Sequence, residues 1–209
     1  MASWDNREVT NEHILPYVDS STAEGDVQAA LKTLPFERNI FKLTANAPAF
    51  FPTFMKLLTC AWSPERTLRS RDWQIIVLRT AATLDAPYEW DVNEPVGRVF
   101  GFTDEYLAHL RSGDLSSCEL FTDRQRLISS IVEDLCLRDR VPEDKVRRAK
   151  EVLGDTGLME LFFIQSIYAF LARTMNSCKV DFDEPIPGLL EILRKYNSSA
   201  IEKENSYAD

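Results

Sequence analysis

Residues 86–101, APYEWDVNEPVGRVFG, hold the chain's strongest candidates for proton chemistry. Tyr88, Glu89 and Asp91 can each hold or release a proton. Asn93 can hydrogen-bond but carries no useful proton. Glu89 and Asn93 are four residues apart, so in a helix they share one face, one turn apart. Two influences act on the Glu89 carboxyl in opposite directions. A place in a first helical turn favours its charged form. An aromatic-lined pocket beside Tyr88 and Trp90 raises its pKa. A carboxylic acid and an amide so arranged suit proton transfer next to a carbonyl. Loss of CO₂ from a β-keto or vinylogous acid, dehydration and isomerisation all need a stabilised enolate and a positioned proton.

Contacts to a small substrate are expected from Gln74, Arg79, Trp90, Tyr168, Arg173 and Asn176. Each also has a packing interpretation. Arg79 lies mid-helix in an apolar stretch, where it either binds a substrate carboxylate or pairs internally. Glu89 is either a general acid/base or a buried partner of Arg79 or Arg173. Tyr88 and Trp90 line a pocket or fill the core. His13 is isolated near the N-terminus and could fold over a pocket in this chain or in a neighbouring copy. His109 suits the positive-preferring end of its own short helix.

The chain has two histidines and four cysteines, Cys60, Cys118, Cys136 and Cys178, all far apart. There is no CxxC, no metal-ligand spacing, no Ser/His/Asp order and no phosphate-cradling glycine loop. No metal and no cofactor are expected, and the cysteines read as reduced, small apolar residues.

The elements that position these residues read as helices. The chain has 209 residues, 44% of them hydrophobic, and only 7 glycines, and apolar residues recur at helical spacing. Its net charge of −9 repels phosphate backbones, so a nucleic-acid partner is not expected. The longest apolar run, 158–172, is interrupted by Glu160, Gln165 and Ser166, so no membrane association is expected, and a cytoplasmic location is.

Helices are expected over 22–34, over 39–63 with a division at Pro48, and over 63–84. The last has an apolar face of Trp73, Ile76, Val77 and Thr80, and Ser70 as its N-cap. Pro87 suits the first turn of the next helix, which ends near Phe100 with Gly101 beyond it. Pro95 either kinks that helix or delays its start to near Asn93. Further helices are expected over 103–113, over 122–139 with a Thr122/Gln125 capping box, over 142–154, over 155–180 as the buried centre, and over 188–197. The sequence thus predicts a single all-α domain over 1–197 with an N-terminal extension, followed by a polar, frayed tail over 198–209.

The stretch IIVLRTAATLDAPYEWDVNEPVGRVFGFTDE, residues 75–105, resembles the carboxymuconolactone decarboxylase-like, or alkylhydroperoxidase-D-like, superfamily. NIFKLTANAPAFFPTF and IYAFLARTMNSCKVDFDE extend the resemblance over roughly residues 30–184. The resemblance implies a helical bundle of that type, a homo-oligomer and a small-molecule substrate. In the peroxidase branch the redox cysteines fall where this chain has Ala86 and Glu89. The relay glutamate falls at Gln74, and the histidine at Asn93. Without a low-pKa thiolate at those positions, peroxide reduction through this motif is excluded unless Cys60, Cys118, Cys136 or Cys178 meets a partner.

The reading that follows is a cofactor-free lyase or isomerase, decarboxylase-like, acting on a small oxygenated carboxylate or enolisable carbonyl compound. Such divergence fits a secondary-metabolite pathway. The alternative is a non-catalytic ligand-binding or oligomeric scaffold protein, motivated by the losses at positions 74, 86 and 93. A pocket beside Glu89 separates the two.

Overall fold

The computed structural model describes residue 4, residues 7–117 and residues 119–207, so Cys118 lies outside the described residues. These residues form ten helices and no strand. They are α1 (Gly25–Leu31), α2 (Asn39–Thr44), α3 (Phe51–Trp62), α4 (Ser70–Thr83), α5 (Pro87–Val99), α6 (Asp104–Ser112), α7 (Asp123–Leu137), α8 (Glu143–Cys178), α9 (Leu189–Tyr196) and α10 (Ser198–Asn205).

The bundle is organised around α4, which packs against α5, α6, α7 and α8. Every residue from Asp72 to Ala81 is buried. The one-sided face read from Trp73, Ile76, Val77 and Thr80 is therefore only part of the helix surface in contact. A helix enclosed by neighbours is apolar nearly all round, which the run Ile75-Ile76-Val77-Leu78 supplies.

Local signals behave as elementary chemistry demands. Thr122 and Gln125 close a capping box at the start of α7, satisfying two otherwise orphaned N–H groups. Pro87 occupies the first turn of α5. Pro95 sits inside α5 without ending it, so the helix starts at Pro87 and not near Asn93. Pro95 and the Asp91 carbonyl residue opposite it are both half-buried, toward the outer side, where a missing backbone hydrogen bond costs least. Gly154 breaks α8 with φ 72° and ψ 173°, a conformation open to glycine and strained for other residues.

Ser70 is the first residue of α4 and not its N-cap, and its side chain makes no capping bond. Its hydroxyl accepts from Arg66 Nη2 at 2.7 Å. Its backbone N–H instead donates to Glu204 at 2.7 Å. Residues 198–205 are accordingly a helix, α10, and not a frayed tail. Ala200 is buried, and Lys203 donates to the carbonyls of Pro64 and Arg66 at 2.7 and 2.9 Å. The physical reason is the α4 N-terminus, whose free N–H groups and positive dipole end attract a carboxylate.

An 18-residue stretch of α8 is apolar enough by composition to cross a membrane, but 56% of it is buried inside the protein. Its opposite side exposes Met159, Phe163 and Phe170.

Candidate functional site

The first two turns of α5 carry the site. Asn176 Nδ2 donates to the carbonyls of Leu84 and Asp85, each at 3.2 Å, which pins the turn from which α5 departs. Asp85 adopts φ 49° there, a left-handed conformation that Asp tolerates better than most residues. The helix then directs Glu89 and Asn93 inward.

Glu89 is 1% exposed. Its Oε1 accepts from Asn93 Nδ2 at 3.0 Å, and the same nitrogen donates to the Glu89 carbonyl at 2.9 Å. Its Oε2 has no hydrogen-bond partner among the described residues. Burial drives the Glu89 pKa from 4.5 up to about 8, and the Asn93 hydrogen bond offsets only part of that rise. Among the described residues no cation pairs with the carboxyl, and near neutral pH it is a neutral acid.

Glu89, Asn93 and Tyr168 line a chamber of about 30 Å³, together with Arg38, Trp62 and Leu193. Burial and the nearby Glu89 charge raise the Tyr168 pKa, so its hydroxyl stays protonated. The indoles of Trp73 and Trp62 act in the opposite direction on that hydroxyl. Trp73 Nε1 makes no hydrogen bond of good geometry among the described residues.

Arg38, from the segment before α2, lines the chamber too, although it is not among the candidates the sequence offers. The signal was present in FERNIF, residues 36–41, where one arginine stands between Phe36 and Ile40 just before a helix. It is 5% exposed. Nη1 donates to Asp183 at 3.1 Å, and the guanidinium lies 4.8 Å from the Phe36 ring centre.

Several sequence candidates lie away from this chamber. The Tyr88 hydroxyl donates to Asp183 at 2.8 Å and accepts from the Ile40 N–H at 3.3 Å. Tyr88 thus fastens α5 to α2, and burial beside the Asp183 charge holds its pKa well above the ordinary value. Asp91 pairs with Arg7 at 3.1 Å. Trp90 donates to Glu94 at 2.8 Å and packs edge-on to Trp4. Gln74 is fully buried, and neither amide atom has a hydrogen-bond partner among the described residues.

Glu89 pairs with neither arginine that the sequence offered. Arg79 bonds Glu133 and the Leu110 carbonyl, each at 2.5 Å. Gly113 makes room for it, since a Cβ there would sit 3.0 Å from Nη2. Arg173 is on the exposed side of α8. His13 does not reach the chamber, because it bonds Asp181 at 3.1 Å and stacks on Tyr17. His109 bonds the Asp114 carbonyl at 2.7 Å.

Among the described residues, Cys60, Cys136 and Cys178 are free thiols, and no three His, Cys, Asp or Glu side chains gather to hold a metal ion. Burial raises the Cys136 pKa, the opposite of what thiol redox chemistry uses.

No family model and no curated protein matches the sequence. Solved structures do match. A peroxidase-related protein of Ralstonia eutropha JMP134 with an alkylhydroperoxidase AhpD core superposes with a TM-score of 0.69 at 16% identity, covering 89% of this chain and 97% of that one. A variant of the debrominase Bmp8 in complex with 2,3,4-tribromopyrrole superposes with a TM-score of 0.68 at 11% identity, covering 92% and 100%. The unliganded debrominase gives 0.67 at 11%, covering 91% and 98%. The all-α bundle is therefore of the alkylhydroperoxidase-D-like fold.

Proposed function

We propose that the chain is a cofactor-free lyase or isomerase in which Glu89 is the general acid/base. The observation that carries this reading is the buried Glu89 carboxyl in a chamber, one of its oxygens unpartnered among the described residues. On a β-keto acid, the C–C bond to the carboxylate breaks and CO₂ leaves. Its electron pair forms an enolate, and Glu89 delivers its proton to the carbon. Water then reprotonates Glu89. On an enolisable ketone the same carboxylate and carboxyl forms move a proton between carbons. Asn93 fixes the rotamer of Glu89, and the Tyr168 hydroxyl is a second donor in the same chamber.

A volume of about 30 Å³ holds one or two waters, so the chamber takes only the reacting end of a substrate. Leu34, Phe36 and Leu193, from the α1–α2 connector and α9, form part of its wall. Their movement admits the rest. That a neighbour of the same fold is described with a small halogenated ring bound is in keeping with such a ligand. The same small volume favours the second reading, a bundle that has kept the fold and lost turnover.

Incubation with a metabolite extract, read by mass spectrometry beside Glu89→Gln and heat-killed controls, decides between them. Loss of a carboxylated metabolite with growth of its CO₂-loss product, only in active wild type, establishes decarboxylation. A product of unchanged mass means isomerisation. A metabolite that co-elutes without turnover supports the binding reading and overturns the enzymatic one.

A homo-oligomer is part of the same proposal. α3, its N-cap Phe50 and α8 present Phe50, Phe54, Leu57, Phe163, Ile167 and Phe170 around a surface groove of about 930 Å³ whose lining includes no charged side chain. Phe50 stands 77% exposed at its rim. One face thus offers both a knob and a hole, as a two-fold, self-complementary interface between copies requires.

A further inference from the structure

Arg38 shares the Glu89 chamber, and its guanidinium is incompletely used. Nη1 serves Asp183, while the Nε–H makes no hydrogen bond among the described residues. A buried guanidinium N–H without an acceptor is costly. It is also a strong, directional donor for a planar oxyanion. Glu89, in the same chamber, does not supply that acceptor, since its Oε1 accepts from Asn93 and its Oε2 has no hydrogen-bond partner among the described residues. Asp183 balances the arginine's charge, but one of its oxygens is shared with the Tyr88 hydroxyl and the other accepts from the Asn39 N–H at 2.7 Å. That network locks the guanidinium plane in place before any ligand arrives.

Resting on the acid/base reading of Glu89, we propose that Arg38 is the oxyanion-binding residue of this site and restricts its ligands to planar, delocalised oxyanions. The oxygen that gathers charge as an enolate forms docks on Arg38, while Glu89 handles the proton at carbon. A carboxylate is isoelectronic with an enolate, so simple carboxylates are stable probes of the site. Neutral amides of the same shape are the matched controls.

Trp62 lines the chamber and is one of four tryptophans. In protein labelled with [15N]tryptophan, formate and acetate are expected to shift the Trp62 indole signal saturably, with formamide and acetamide leaving it in place. Trp62→Phe assigns that signal. Arg38→Gln and Arg38→Lys are expected to weaken acetate at least tenfold. The lysine variant keeps a cation for Asp183.

Equal response to acetate and acetamide, no response to either, or acetate affinity within twofold of wild type in a folded Arg38→Lys variant would overturn the inference. If both Arg38 variants unfold, the acetate-to-acetamide ratio in wild type decides alone. Failure of the acid/base reading looks different. Acetate binding would then follow Arg38 yet stay constant from pH 7 to 9 in wild type, as it does in Glu89→Gln.

Discussion

Asn93 spends its amide on Glu89, with Nδ2 3.0 Å from Oε1 and 2.9 Å from the carbonyl oxygen one turn back. The contact fixes the carboxyl without a charge. An imidazolium at position 93 would hold Glu89 ionised, and an amide does not. The amide at position 93 and the high Glu89 pKa are therefore two sides of one arrangement. Burial raises Tyr168 above its ordinary value, while Glu89 in the same chamber is pushed up only to about 8.

Stability follows from this directly. Glu89 keeps its proton up to about pH 8 when folded and loses it near 4.5 when unfolded. The native state then binds this proton more tightly between these limits, so the contribution of Glu89 to stability is fully present below about 4.5 and is lost as pH rises through about 8. The interval corresponds to on the order of 5 kcal/mol. Glu89→Gln is expected to remove that slope and to be more stable than wild type at pH 8. Denaturant melts at pH 5, 6.5 and 8 check this, and parallel slopes in the two proteins would refute it.

Asn93→Leu removes the hydrogen bond that opposes burial, so the Glu89 pKa is expected to rise further. A hydrogen bond to a charged group is worth about 1.5–3 kcal/mol, or roughly one to two pH units. Carboxyl 13C shifts across a pH titration read the midpoint, and a fall in place of a rise contradicts the assigned contact.

The sequence made some of this legible. The Thr122/Gln125 box, Pro87 at a helix start and the shared face of Glu89 and Asn93 are signals within one helical turn, and local geometry fixes them. Tyr168, far off in sequence, is also brought to Glu89. Arg79, which the sequence offered, pairs away from the chamber, and Arg38 lines it, because pairing depends on which helix faces which. Glu133 lies on α7, opposite Arg79. Asp183 lies beyond α8, opposite Arg38. Neither adjacency leaves a mark in local spacing. The same holds for Glu204, whose work lies at the start of α4.

Glu204→Ala is expected to destabilise the protein by about 1 kcal/mol, the usual size of a helix N-cap. Removing residues 198–209 should cost more, since Ala200 and the Lys203 contacts go as well. Thermal unfolding checks both, and a truncated chain as stable as wild type would return this segment to a tail.

Arg79 is expected to behave as a structural residue. Arg79→Met strands the Leu110 carbonyl, and a buried unsatisfied polar group costs about 1–3 kcal/mol. The half-exposed Glu133 adds little, because water takes over its charge. Stability should fall while acetate still shifts the Trp62 signal with unchanged affinity. A loss of affinity in a well-folded variant would restore Arg79 to the ligand site.

The apolar face yields the last expectation. Phe50, Phe163 and Phe170 are 77%, 56% and 49% exposed, and the groove beside them takes no charged side chain in its lining. In a two-fold interface one copy's Phe50 enters the other's groove, so a charge placed there is buried twice without a partner, at several kcal/mol each time. Phe50→Glu and Phe170→Glu should therefore yield monomers in sedimentation equilibrium where wild type is larger. Their stability should hold or improve at low concentration, because both side chains leave the core undisturbed. Two other outcomes argue against a second copy. Wild type that sediments as a monomer at every concentration excludes it outright. Wild type that pellets with neutral lipid vesicles, and variants that do not, would give the face to a membrane surface.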